Sequence, residues 1–182
     1  MQNSNSSANN KGLLLKKTLL KFFQNEQNLM KLVNVENRTA GYSLRVLEWF
    51  CGNYCKKYVV IYKVNGKDFN VYISYKAQLD SYSKKQFDPF KRDHKGYGKF
   101  WLKYNGNSKI ETAICQLNFF RWCIENGILD YVKKHITAIK NDMNNSMSDK
   151  SEDTDRKKRQ PLSQAVTRTC VKRYTKVLIK FK

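Results

Sequence analysis

The pair Asn65-Gly66, set between two β-rich runs, constrains this chain more than any other feature of its sequence. Tyr58 to Lys63 and Asp68 to Tyr75 flank Val64-Asn65-Gly66-Lys67. Asn-Gly suits a type I′ turn, whose two central residues both need positive φ. The two runs are therefore predicted to form one antiparallel hairpin. At the far end of the chain Val177-Leu178-Ile179-Lys180-Phe181 alternates as a strand does, with Val177, Ile179 and Phe181 on one face. That strand is expected to dock onto the hairpin.

Around the hairpin the apolar residues follow the helical period. Leu44, Leu47, Cys51, Tyr54, Cys55 and Tyr58 predict a helix over 44–57, with Ser43 as its N-cap. Ser108-Lys109-Ile110-Glu111 fits a capping box, after which Ile110, Ala113, Ile114, Leu117, Phe120 and Ile124 form a stripe that stops at Gly127. A second helix from Ile128 buries Val132, Ile136 and Ile139, and the pair reads as an αα-hairpin. Near the start, Leu13 to Val35 predicts one amphipathic helix with its lysines in water. The first eleven residues, MQNSNSSANNK, are polar and of low complexity, so they are expected to be disordered. Residues 141–160 have almost nothing apolar to bury and read as a flexible charged linker. The fold class is thus α+β, a small single domain with a β-hairpin, an αα-hairpin and a C-terminal strand, flanked by flexible basic ends. Its parts are an N-terminal segment 1–37, a core 38–140, the linker 141–160 and a basic tail 161–182 carrying the last strand.

Charge narrows the function classes. The chain has 182 residues and a formal net charge of +20, far more than solubility requires, and the excess points to a polyanionic partner. Residues 38–140 hold nineteen Lys and Arg against eight Asp and Glu, 141–155 hold five acids and one lysine, and 156–182 hold ten basic residues and no acid. Abundant Asn, Lys, Ile, Tyr and Phe also follow from an A/T-rich genome, but that bias does not explain this uneven distribution. Five cysteines without a tight repeating spacing or a preceding secretory signal read as reduced thiols of a cytosolic or nuclear protein. No apolar run approaches the roughly 20 residues that span a bilayer, and lysines break LLLKKTLLKFF after three leucines. A soluble protein without a membrane partner is expected. A mitochondrial presequence is the competing reading of the N-terminus, but the segment lacks arginine.

The catalytic inventory is thin. His94 and His135 have no Ser, Cys or carboxylate at a spacing that implies a triad or an acid/base pair. Cys51 and Cys55 stand four apart, but no second pair follows at zinc-finger spacing, and both fall on the apolar stripe, so they read as core. No phosphate loop and no dinucleotide fingerprint is present. An enzyme is not indicated, and neither a cofactor nor a metal is expected.

Tyr82 to Tyr104 carries the sharpest functional signal, with seven aromatic rings and seven Lys or Arg side chains against Asp88 and Asp93. Asp88-Pro89 enforces a turn, and Phe87 and Phe90 on either side read as a clamp pinning it to the core. Lys84, Lys85, Lys91, Arg92, Lys95, Lys99 and Lys103 cannot all find acids. They are expected to track phosphates, with Tyr97 or Trp101 adding stacking, the combination used for nucleic acid bound with little sequence preference. In the tail Arg156, Lys157, Lys158, Arg159, Arg168, Lys172 and Arg173 would add phosphate contacts. The run Arg156 to Arg159 also fits a nuclear localisation signal.

Four blocks carry a resemblance. LRVLEWF at Leu44 to Phe50, FNVYISYKAQLDSYSKKQFDPFKR at Phe69 to Arg92, QLNFFRWCIENGILDYV at Gln116 to Val132, and Arg156-Lys157-Lys158-Arg159 followed by PLS resemble a conserved uncharacterised family of nucleocytoplasmic large DNA viruses. The resemblance brings no catalytic residue. It implies a setting, a cytoplasmic viral factory or a virion core whose genome, DNA above all, must be bound and packaged. The expected function is non-enzymatic, sequence-independent association with nucleic acid. A scaffold that self-associates or gathers acidic viral proteins is the alternative. A sequence-reading helix-turn-helix made of helices 110–125 and 128–140 is another, although the second helix lacks an obvious base-reading set.

Overall fold

The computed structural model describes residues 3–82, 84–90 and 99–152. Helix α1 (Asn3–Phe22) and helix α2 (Glu26–Glu36) replace the single helix expected over 13–35, and α1 already runs through the low-complexity start. The break has a local cause. Asn25 takes extended backbone, its side chain accepts from the Asn28 amide at 3.2 Å, and the Asn28 side chain donates to the Phe22 carbonyl at 3.2 Å. An asparagine offering its own carbonyl to the backbone competes with the helical ladder and starts a new helix instead.

Helix α3 (Leu44–Trp49), a π-helical turn at Phe50–Tyr54 and helix α4 (Cys55–Tyr58) form the helix expected over 44–57. Ser43 holds the N-cap position without a side-chain cap bond. The widened turn contains Gly52, where an added Cβ would stand 3.3 Å from a Glu48 oxygen and 3.7 Å from the Tyr75 ring. Phe50, Cys51 and Cys55 point inward from it and are buried. Val59 ends α4 in the left-handed region at φ +49°.

The hairpin follows. Strand β1 (Ile61–Val64) pairs antiparallel with β2 (Lys67–Asn70), Tyr62 opposite Phe69, around Asn65 and Gly66 at φ +50° and +78°. Both central residues have the positive φ that the Asn-Gly pair implies. The strand expected to reach Tyr75 stops at Asn70, however, because the Asn70 side chain caps helix α5 (Val71–Tyr82) by accepting from the Ile73 amide at 3.0 Å. Val71 and Tyr75, one turn apart, become the buried pair of that helix.

Helix α6 (Lys84–Phe87) leads to the Asp88-Pro89 turn, where the Phe90 amide donates to the Asp88 carboxylate at 2.9 Å. Only half of the expected clamp forms. Phe87 is fully buried against Tyr75, Tyr82, Phe119 and Trp122 at ring distances of 5.7–6.2 Å, whereas Phe90 is half-exposed. Burying a phenylalanine contributes about 1.5–3 kcal/mol, so Phe87 anchors the turn, together with the buried Pro89 and the Asn118 side chain, which donates to the Gln86 carbonyl at 3.0 Å.

A second hairpin comes next, strand β3 (Phe100–Tyr104) paired with β4 (Ser108–Thr112). It overturns the capping box read at Ser108. Helix α7 (Ile114–Glu125) begins after the strand instead, with Ala113 at its N-cap. The reason lies across the ladder: Leu102 and Tyr104 supply Ile110 and Ser108 with strand partners, which a local helix signal cannot outweigh. Helix α7 is the centre of the domain. Leu117, Phe119, Phe120 and Cys123 are fully buried, and the helix packs against α1, α2, α6 and α8.

Gly127 at φ +67° turns the chain into helix α8 (Ile128–Lys134), and His135 separates it from α9 (Ile136–Glu152). The second arm of the αα-hairpin is thus two helices. The last one runs through Glu152, inside the segment read as linker. It is held there by Asp142, whose carboxylate is buried and accepts from Trp49 Nε1 at 3.1 Å, Lys57 Nζ at 2.7 Å and Tyr58 Oη at 3.1 Å. The result is a small α+β domain whose two hairpins lie on a helical core. The expected C-terminal strand at Val177 to Phe181 lies outside the described residues.

Candidate nucleic-acid interface

The β3–β4 ribbon places the candidate site. Its loop is Asn105-Gly106-Asn107, with Asn105 and Gly106 at φ +45° and +76°. Its two faces differ sharply. Phe100, Leu102 and Tyr104 are half-buried and Ile110 and Thr112 buried, so this face lies on the core. The other face is wet and holds Trp101, Lys103, Lys109 and Glu111. Trp101 is 62% exposed, although its indole could bury a large area if turned inward.

Register sets the electrostatics of that face. Trp101 lies opposite Glu111 and Lys103 opposite Lys109. Like charges directly across an antiparallel pair destabilise it, so Lys103 and Lys109 stand together at a cost to the hairpin. Lys99 is anchored beside them, its ammonium 2.6 Å from the Glu111 carboxylate. That pair consumes the acid of the face and leaves the two opposed lysines without an ion pair among the described residues.

Of the residues singled out from sequence, Lys99, Trp101 and Lys103 therefore come together on one surface. Lys84 and Lys85 lie on α6, where Lys85 is exposed. Lys91, Arg92, Lys95, Tyr97, Arg156, Lys157, Lys158, Arg159, Arg168, Lys172 and Arg173 lie outside the described residues, as does His94. Lys109 was missed, because Ser108 to Glu111 reads as a helix cap. The second Asn-Gly pair, at Asn105-Gly106, was the signal that would have found it.

Burial pushes the Cys51 and Cys55 thiols up, which keeps them protonated and poor as nucleophiles or ligands. Among the described residues no group of three or more His, Cys, Asp and Glu side chains converges in a way that could hold a metal ion. The His135 ring packs on Tyr131 at 4.3 Å. Burial, and then the nearby Asp88, push the Glu48 carboxyl up, opposed by the Tyr75 hydroxyl at 3.5 Å. No described helix is long and apolar enough to cross a membrane.

Comparison with known proteins fits the resemblance read from sequence. Residues 2–152 match the model of a family of unknown function, DUF7197. An uncharacterised protein of Acanthamoeba polyphaga mimivirus is 35% identical over 177 residues, covering 91% of this chain and 68% of its own. No solved structure matches. The matched region contains every described element, from α1 to α9, and the chain belongs to the DUF7197 family, with a relative in a giant virus.

Proposed function

We propose that the protein is a non-enzymatic nucleic-acid-associating protein that holds phosphates without reading sequence, through the wet face of the β3–β4 ribbon. The observation that carries this reading is the juxtaposition of an exposed Trp101 with Lys103 and Lys109, which face each other without an acid between them. Lysines supply the phosphate term, and an exposed ring supplies sequence-tolerant stacking. The net charge of +20 adds long-range attraction for the same ligand. Nothing on this face is suited to reading base edges, since Glu111 is engaged by Lys99. The giant-virus relative suggests the setting, a cytoplasmic viral factory or the virion core, with DNA as the ligand. A sequence-reading helix-turn-helix is disfavoured because α7 is buried on nearly all sides and α8 is only seven residues long.

The test is fluorescence anisotropy of the full chain with a 20-nucleotide duplex and the corresponding single strand over a salt series. Binding is expected to weaken steeply with salt, and Lys103→Gln with Lys109→Gln to lower the log–log slope by about one unit per lost contact, equally for unrelated sequences. Trp101→Ala is expected to weaken the single strand more than the duplex. A flat salt dependence would sink the proposal and leave the scaffold reading, in which the basic domain gathers acidic proteins.

A further inference from the structure

Helix α1 has two differently used sides. Leu19 and Phe23 are buried and Leu15 and Phe22 pack beside them, against α7. On the other side Leu13 and Leu14 are 61% and 67% exposed. Leu13, Lys16, Lys17, Leu20, Lys21 and Gln24 line an open depression of about 460 Å³. Positions 13, 17, 20 and 24 follow one another at helical spacing, so they make a continuous strip, with Lys16 and Lys21 on its two flanks. The strip is about 16 Å long at 1.5 Å per residue. No Asp or Glu occurs before Glu26, and among the described residues none of these three lysines makes an ion pair. Lys16 instead places its ammonium 4.5 Å from the centre of the Phe100 ring.

We infer that this face docks an acidic amphipathic helix of a partner protein. The ligand must satisfy two chemistries at once. Phosphates would answer the lysines but would leave Leu13 and Leu14 in water, and the strip presents no aromatic ring to a base. A lipid surface would need a broad apolar face, and α1 has already committed that face to the core. A helix with leucines at i, i+3/i+4 and i+7 seats them beside Leu13 and Leu20, while glutamates beside them reach Lys16, Lys17 and Lys21. Lys16 touches Phe100 on the core-facing side of the ribbon, whereas Trp101, Lys103 and Lys109 lie on its other face, so this inference stands whether or not nucleic acid binds there.

The probe is a fluorescein-labelled synthetic helix of about three turns or more built from Leu at those spacings and Glu elsewhere, titrated with the full chain. Saturable binding is expected. Leu13→Gln is expected to weaken it at least tenfold, as is Lys17→Glu with Lys21→Glu, with an unchanged circular dichroism spectrum because all three side chains lie at the surface. Lys103→Gln with Lys109→Gln is expected to leave it unchanged. Equal binding of polyglutamate, which has charge but no leucines, overturns the inference. So does displacement of the probe by duplex DNA that survives the Lys103 and Lys109 substitutions, tighter binding to phosphatidylserine vesicles than to the probe, or no binding at 100 μM protein.

Discussion

Asp142 shows how much one side chain decides. In sequence it is one of five acids in a polar stretch. In the fold it receives three hydrogen bonds, from Trp49, Lys57 and Tyr58, and ties α9 to α3 and α4. Burial pushes its carboxyl up, but those three donors outweigh burial and hold it below the usual carboxylate range. A carboxylate with a lowered folded pKa contributes stability above its unfolded pKa, about 3.9, and loses it as pH falls through the lowered value. Asp142→Ala is therefore expected to cost about 2–3 kcal/mol at pH 7, read from urea midpoints, with the difference from wild type shrinking below about pH 4. Glu36 has the opposite sign. Its Oε1 is buried without a hydrogen-bond partner among the described residues, and burial pushes its carboxyl up. The penalty is full above the raised pKa and vanishes as pH falls below the ordinary value of about 4.3. Glu36→Gln should thus raise the urea midpoint at pH 7, by an amount that disappears on acidification; a gain that persists at pH 3.5 would show that charge burial is not the cause.

At the scale of elements, asparagines place the boundaries that hydrophobic pattern left ambiguous. Asn25 splits α1 from α2, Asn70 ends β2 and starts α5, and Asn65 and Asn105 enter left-handed turns. Asn25 and Asn70 act through a side-chain oxygen that stands in for a backbone carbonyl, Asn65 and Asn105 through their tolerance of positive φ. Val71-Tyr72-Ile73-Ser74-Tyr75 is β-rich and alternates, yet Val71 and Tyr75 are also one helical turn apart, and so short a run satisfies both periods. The cap resolves it. Asn70→Ala is expected to cost about 1 kcal/mol and Asn70→Asp much less, as judged by chemical denaturation. If the two cost the same, the cap does not hold the start of α5. Helix α7 illustrates the converse. It is apolar on nearly every side because hairpins and helices surround it, so its stripe was legible, but its start was not.

For the molecule as a whole, charge outruns what the fold needs. Helix α1, the ribbon and the stretch 156–182 each carry lysines or arginines in excess of acids, and short-range ion pairs among the described residues account for few of them. If binding to nucleic acid is shared between ribbon and tail, neutralising Arg156, Lys157, Lys158 and Arg159 together weakens duplex binding and flattens its salt dependence, since both terms are phosphate contacts. The affinity of that variant, measured at 50 mM and 200 mM salt, decides it. A variant that binds as tightly as wild type at both assigns the ligand to the ribbon alone.

Some of this protein is written in local chemistry. Asn65-Gly66 dictates its turn because few other pairs tolerate two positive φ values in sequence, and Leu117, Phe120 and Ile124 dictate a helix because their spacing fits only one period. The net charge is equally explicit. What only the tertiary structure decided is everything that depends on a distant partner. Ser108 to Glu111 is a strand because Phe100 to Tyr104 lies beside it, and Asp142 belongs to a helix because Trp49, Lys57 and Tyr58 wait for its carboxylate more than eighty residues away in sequence. Lys109 joins the candidate site for the same reason. A cross-strand neighbour is fixed by register, and register is set by the packing of one whole face, which no single stretch of sequence contains.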